Sequence, residues 1–477
     1  MASASWAAKK LLGDIRANPD ISAQSIQDLL MDKYGIEMKL STLYRMKKQA
    51  LKEINGGYDD SYKLLPRYCK MVKQTNPGSS ALCAWSLMDT PERTLQFKSV
   101  FISFDAQIKG LMAGCRSLIG VDGTHLKGNH GGVLLSAIAL DGNNEIFPVA
   151  VSVVQSENKD SWANFFWHLK QVISSCERSD WTIIYDRQKG VEPALEIVWP
   201  EAYRRFCARH LCKNFKSEYP EIMMHQLFWR VVNATSEFSF KKALEIVVQN
   251  AGKGCARWFL DLGEKELWAK HKFDPRICSD ENTSNFVESF NSALGVQRCL
   301  PVLSLLEGVR RTTMVRHATR QHIADSWPDE GICPNIMNML KVLKKDSRTC
   351  LAYRSGRGEF EVHEGRTTKL HVSLNKGTCA CGLWQISGIP CKHAIRAILF
   401  SERDPVDYVS EWYSVRRYKE AYGMSINPIA DSEQLPVFDV PCLEPPTLRR
   451  SIGRPCRNMR REPGEQRSKG REKDQHQ

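Results

Sequence analysis

The sequence predicts an α/β core built on a mixed sheet, with smaller units on either side. Two apolar runs carry that prediction. Leu118-Ile119-Gly120-Val121-Asp122 and Trp181-Thr182-Ile183-Ile184-Tyr185-Asp186 each read as a buried strand closed by a single aspartate. Open α/β sheets bind ligands at the carboxyl ends of their strands, so both acids become candidates for one site. The third observation is the order of elements: three hairpin-connected strands, a helix, a strand, a short helix and a strand.

Apolar residues at helical spacing predict three short helices ahead of this core, over Ser5–Asn18, Ser22–Tyr34 and from Ser41 past Ile54. Asn18-Pro19-Asp20 and Gly35 separate them, and Gly56-Gly57 closes the unit, residues 1–57. The third helix is basic, with Arg45, Lys47, Lys48 and Lys52. Three helices with a basic last one fit a helix-turn-helix DNA-binding unit, and equally a small accessory bundle with a solvated face. A connecting region, 58–115, holds a helix over Ser61–Gln74 and a strand over Thr94–Phe104.

Within the core, Leu118–Asp122, Gly132–Leu140 and Ile146–Val154 form the first three strands, rich in β-branched residues. A helix over Asp160–Cys176 follows, with Trp162, Phe165, Phe166, Leu169 and Ile173 at helical spacing. Trp181–Asp186 is the fourth strand, Gly190–Val198 a helix and Tyr203–Ala208 the fifth strand. That order is the order of an RNase H-like fold, in which the first and fourth strands lie side by side. From His210 to about Ser279 the pattern turns helical and reads as an insertion, about 211–279, within a catalytic region of 116–325. Capping residues Asp280–Ser284 then open a helix that carries Glu288.

Composition sets the class of partner. The chain has 477 residues, 42% of them hydrophobic, which suffices for real cores and for more than one domain. A net charge of +13 favours an anionic partner such as nucleic acid. Met1–Lys10 has no apolar signal segment and no run reaches membrane-spanning length, so the expectation is a nuclear or cytosolic protein with free thiols, the basic tail favouring the nucleus. No membrane and no small-molecule substrate are expected.

Asp122, Asp186 and Glu288, brought together, would offer the hard oxygen ligands that Mg²⁺ or Mn²⁺ needs in phosphoryl transfer. Each residue has a plainer reading: Asp122-Gly123 as a turn, Asp186-Arg187 as a strand-end ion pair, Glu288 as a charge near a helix N-terminus. The sharpest local signal is Cys379-Ala380-Cys381, nine residues, then Cys391-Lys392-His393. Residues two apart in a strand face the same side, and four N/S ligands without a vacancy describe a structural zinc. From 425 to 477 the chain is Pro-rich and then charged, and reads as linker and disordered tail. Ten Lys/Arg against four Asp/Glu between Arg449 and Gln477 give that tail +6. Its Gly453-Arg454-Pro455 is similar to an AT-hook core, which lays arginine into a narrow minor groove. A solvated basic tail is the other reading.

The run Ile119-Gly120-Val121-Asp122-Gly123-Thr124-His125-Leu126-Lys127-Gly128 resembles the opening of the catalytic domain of Mutator-like element (MULE) transposases. The resemblance continues through Ala137–Asn143, Pro148-Val149-Ala150, Glu157-Asn158, Ser161-Trp162, Asp186–Gly190, Cys207–Leu211 and Asn285–Asn291, and on to Arg298 and Pro301. In order, it covers roughly Ser5 to Tyr422. It implies a DDE-type DNA transposase with Asp122 and Asp186 as metal ligands and Glu288 as the third acid. Cys207 and His210 match the family's C-x-x-H pair, with a structural or DNA-contact role, or simple buried packing, open to them. The Cys379, Cys381, Cys391, His393 pattern, with Trp384 and Gly388-Ile389-Pro390, is similar to a SWIM zinc finger, over 355–402, a module that follows MULE domains in plant proteins. The implied partner is DNA, as terminal inverted repeats or promoter DNA, together with a second copy of the chain.

Full-length members often begin with a further zinc-binding module, whereas no Cys/His cluster precedes Cys69 here. Two functions are therefore expected side by side. One is a transposase that cuts and joins phosphodiesters. The other is a domesticated, non-enzymatic DNA-binding regulator, as in the far-red-impaired-type plant factors.

Overall fold

The computed structural model describes residues 3–446, apart from 19–20, 55–56, 89–93, 175–177, 179 and 431–437. Its centre is one large sheet. Strands β1 (Ser80–Leu87), β2 (Leu95–Ser103), β3 (Leu118–His125), β4 (Val133–Leu140), β5 (Ile146–Val154), β6 (Thr182–Tyr185) and β7 (Tyr203–Phe206) lie in the order β1-β2-β5-β4-β3-β6-β7. The first five of these positions pair antiparallel, and β3–β6 and β6–β7 pair parallel. The strand bearing Asp122 and the strand that leads to Asp186 are thus direct neighbours.

Alternation along the strands builds two cores, one on each face. Ile119, Val121, Leu135, Ala137, Ile183 and Tyr185 face the helix Lys159–Ile173, meeting Trp162, Phe165 and Phe166. Leu118, Leu134, Ile138 and Ile184 face the other way, onto Phe286, Val287 and Phe290 of the helix Asn285–Ala293. Strands covered on both sides carry near-continuous apolar runs, as β4 does.

Three features depart from the sequence reading. First, β3 does not end at Asp122: Gly123, Thr124 and His125 stay paired with β4, opposite Leu135, Leu134 and Val133. Asp122-Gly123 is therefore strand, not turn, while the pairing with β6 stops at Gly120↔Ile184. Second, β1 adds an edge strand where Ser80–Leu87 gives no clean alternation, its outer side being largely exposed. An edge strand is held by its neighbour's ladder rather than by pattern. Third, part of the segment read as linker is packed. Ile426 and Leu443 enter the core.

The insertion comprises helices Ala208–Glu218, Ile222–Val232 and Glu237–Leu260 and three short 3₁₀ turns up to Ile277. Gly252, at φ 79°, breaks the longest of these helices. The N-terminal unit has its own core of Ala7, Leu11, Ile26, Leu30, Leu43 and Met46. After the long helix Val302–Asp325 and the helix Pro334–Asp346, a second sheet forms from β8 (Cys350–Arg354), β9 (Glu359–Glu364), β10 (Thr368–Ser373) and β11 (Thr378–Cys379), in the order β11-β10-β9-β8. The helix Lys392–Phe400 closes that small domain over Val362, Val372 and Trp384. Finally β12 (Leu443–Glu444) returns to the large sheet, parallel to β2. Arg454 and the rest of the tail beyond 446 lie outside the described residues.

Candidate acidic site and zinc centre

Asp122 and Asp186 each stand two residues beyond the paired Gly120 and Ile184, so they reach the same level of adjacent strands. Both fall on the side of the sheet that the helix Asn285–Ala293 covers. Gly120 makes that approach possible. A Cβ there would lie 2.5 Å from Phe286 Cζ and from Val287 Cγ2, far inside van der Waals contact. With the helix pressed directly on β3, Asn291 donates its amide to Asp122 Oδ2 at 2.9 Å. The buried Ser136 of β4 in turn donates to Asn291 Oδ1 at 3.0 Å and fixes the amide's orientation.

The surroundings of Asp122 disfavour its charged form. Burial pushes its pKa up to about 7, and the charges of Asp186, Glu288 and Glu157 push the same way, against the Asn291 bond. Glu157 is the residue that sequence reasoning missed as a site residue. It precedes the helix Lys159–Ile173 and arrives from the opposite face, where Gly123 leaves room: a Cβ there would sit 2.7 Å from Glu157 Oε1. Trp162 Nε1 donates to it at 3.2 Å. Burial and then Asp186 raise its pKa above the usual carboxylate range. Its sequence signal was the acid immediately before an Asn158 cap at the end of β5.

Glu288 occupies the first turn of its helix. Arg209 Nη1 approaches its Oε2 at 3.7 Å, while its Oε1 is buried with no hydrogen-bond partner. Cys207 and His210 stand beside the acids at the start of the helix Ala208–Glu218. The Ser284 amide, at the cap of the Glu288 helix, donates to Cys207 Sγ at 3.2 Å. Burial raises the Cys207 thiol, but the contacts with His210 and Ser284 outweigh it and hold the thiol below its usual range. The contact with Cys207 raises the His210 imidazole, and Asp186 and Glu288 add to that. The C-x-x-H pair thus ties the strand before the insertion to the acid-bearing helix after it.

A divalent cation fits this chemistry. A half-buried, mutually repelling set of carboxylates and an orphaned Glu288 oxygen are what a hard cation relieves. The acids are nonetheless more loosely gathered than the cysteine cluster. Among the described residues, Cys379, Cys381, Cys391 and His393 form the group whose ligand atoms all lie within 4.8 Å of one another. There Cys381 Sγ and Cys391 Sγ are 3.5 Å apart, and His393 Nδ1 is 3.9 Å from Cys379 Sγ and 3.7 Å from Cys391 Sγ. A tetrahedral zinc with bonds of about 2.0–2.3 Å needs ligand separations of roughly 3.5–3.8 Å. His393 Nε2 meets Glu364 Oε2 at 2.8 Å, which orients the ring so that Nδ1 faces the thiols. The finger is docked on the core: Thr235 Oγ1 donates to the Cys381 carbonyl at 2.6 Å, and Tyr413 bridges the carbonyls of Ser387 and Cys278 at 2.8 Å each.

The chain's sequence matches two family models in these regions: the MULE transposase domain over residues 118–214 and the SWIM zinc finger over 370–401. The first match spans Asp122, Asp186 and the Cys207–His210 pair, and the second spans the cysteine cluster. The chain is also similar to Protein FAR1-RELATED SEQUENCE 6 of Arabidopsis thaliana, at 24% identity over 216 residues. That alignment covers 44% of this chain and 29% of the relative, so the chain spans less than a third of that protein's length. No helix among the described residues is long and apolar enough to cross a membrane.

Proposed function

We propose that this protein is a MULE-type transposase, or a close derivative, that binds DNA and cuts and joins its phosphodiesters. The observation that carries the reading is the convergence of Asp122 and Asp186 on adjacent parallel strands beneath the helix that bears Glu288. The strand order β5-β4-β3-β6-β7 supports an RNase H-like core, the scaffold expected for such a site. Asp122, Asp186 and Glu288 are the residues that would hold Mg²⁺ or Mn²⁺. Bound there, the cations would neutralise the scissile phosphate and lower the pKa of an attacking water. The chain's own part is to fix those carboxylates: Asn291 orients Asp122, Gly120 admits the helix, and the Cys207–Ser284 bond anchors that helix's start. The SWIM finger holds a structural zinc and serves as a DNA- or protein-binding module. A nuclear location and self-association belong to the same proposal, supported by the net charge of +13 and the transposase-type domain.

The second reading is a domesticated, non-enzymatic DNA-binding regulator. Arg209 beside Glu288 favours it, because an arginine cation already serves the third acid. Metal-dependent cleavage separates the two. Purified full-length chain is incubated with donor duplex DNA and Mg²⁺ or Mn²⁺, beside Asp122→Asn and Asp186→Asn. Cleavage by the wild type alone supports the transposase. Equal activity in the variants would remove the carboxylates from the mechanism, and an inert wild type that still binds DNA would leave the regulator.

A further inference from the structure

The helix Leu40–Ile54 buries Leu43, Met46 and Ala50 against the helices before it. Ser41, Tyr44, Arg45, Lys48 and Lys52 are all exposed, Tyr44 to 60%. Their offsets of 0, 3, 4, 7 and 11 residues put them on one stripe of the helix surface. The stripe is selected, not simply the face of a uniformly basic helix. Lys47 turns away and donates to the Ile21 carbonyl at 2.6 Å, and Gln49 is held by Ser5 Oγ at 3.1 Å. Glu53 lies well off the stripe by the helical angle.

The turn that presents this helix is fixed by a glycine cap and by side-chain bonds to its backbone. Gly35 ends the preceding helix Ala23–Tyr34 in the left-handed region at φ 63°, where glycine carries no Cβ penalty. Gln27 then clamps the connection, donating to the Ile36 carbonyl at 3.0 Å and accepting from the Met38 amide at 2.9 Å. The stripe therefore stands on a rigid element rather than on a loop.

We infer that the stripe Ser41–Lys52 is a duplex-DNA docking surface that enters the major groove, separate from the acidic site. It runs about 16 Å at 1.5 Å per residue, and the B-form major groove, roughly 12 Å wide, admits an α-helix. Three cations with no acid among them match phosphates on the groove's edges. Ser41 and Tyr44, nearest the helix start, are the side chains placed to meet base edges, as N-terminal residues of a recognition helix do. The deep, narrow major groove of A-form RNA excludes the same side chains. The inference takes the identity of the partner from the DNA-acting reading, but it assigns binding to a different unit from the one proposed for cleavage.

The test uses the full chain and a labelled random-sequence 30-base-pair duplex, with affinity measured across a salt series. R45A/K48A/K52A is expected to bind at least about tenfold more weakly, with a salt slope shallower by roughly 2–3, because each neutralised phosphate contributes about 0.9 to that slope. R45Q/K48Q/K52Q, which keeps the helix's polarity, should do the same, and unchanged circular dichroism checks the fold of both. K241A/K253A/R257A, three exposed cations on the insertion, should bind as the wild type does. Stripe variants that match the wild type would overturn the assignment, as would equal affinity of the wild type for an RNA duplex of the same length. A wild type that binds no duplex would instead defeat the DNA-acting reading itself.

Discussion

The carboxamide of Asn291 donates to Asp122 Oδ2 at 2.9 Å across the join between a helix and a strand 169 residues apart in sequence. The bond is possible because Gly120 lets that helix lie directly on β3. It favours the acid's charged form but is outweighed by four features that disfavour it: burial, Asp186, Glu288 and Glu157.

That balance predicts an unusual pH dependence. In the fold Asp122 keeps its proton up to about pH 7, whereas in the unfolded chain it loses it at the ordinary value of about 4. Between those values the folded state binds more protons, so its contribution to stability is full below about pH 4 and is lost as pH rises through 7. Thermal unfolding without divalent metal should show Asp122→Asn stabilised over the wild type at pH 8, by on the order of 2–4 kcal/mol, and little changed at pH 4. Mg²⁺ or Mn²⁺ should raise the wild type's melting temperature at pH 8 and not that of Asp122→Asn.

Glu157 should be felt at the same site. Its charge raises the Asp122 pKa, so Glu157→Gln should move the midpoint of that pH dependence downward. A carboxyl-selective infrared or NMR titration would read the shift, and an unmoved midpoint would take Glu157 out of the acidic cluster.

Gly120→Ala tests the close approach. Its Cβ would meet Phe286 and Val287 at 2.5 Å, and overpacking of this kind costs about 1–3 kcal/mol. Chemical denaturation should show that loss, and metal-dependent cleavage, if present, should fall further than stability alone explains because Glu288 moves with the helix.

For the finger, Cys391→Ser should lower the zinc content of the purified protein, measured by mass spectrometry. Glu364→Ala should keep zinc bound but weaken it by roughly 10- to 100-fold in chelator competition, since it removes the partner that orients His393. Unaltered affinity would mean that the carboxylate plays no part in holding the ring.

The zinc ligands were legible because they are local. Two thiols two residues apart at the end of a strand and a Cys-x-His pair at a helix start are joined by one short helix, Leu383–Ser387, so a spacing of ten residues is enough to bring them together. The strands bearing Asp122 and Asp186 were legible for a similar reason, since apolar runs and their order specify a sheet. Other features were not. Asp122 lies in mid-strand because β4 pairs on past it to His125, a register that no pattern in Leu118–His125 reveals. Ser80–Leu87 became a strand by borrowing the ladder of β2, and Leu443–Glu444 by returning to its far end.

By itself, then, the sequence determined most of the core's strands and helices, the Cys/His cluster and the two aspartates of the adjacent strands, all set by short-range periodicity and spacing. Tertiary structure alone decided what surrounds them: Glu157 arriving through the gap at Gly123, Asn291 holding Asp122, Arg209 meeting Glu288, and Ser284 bound to Cys207. These contacts join segments far apart in the chain, and burial and charge act through distances in space that residue order does not record.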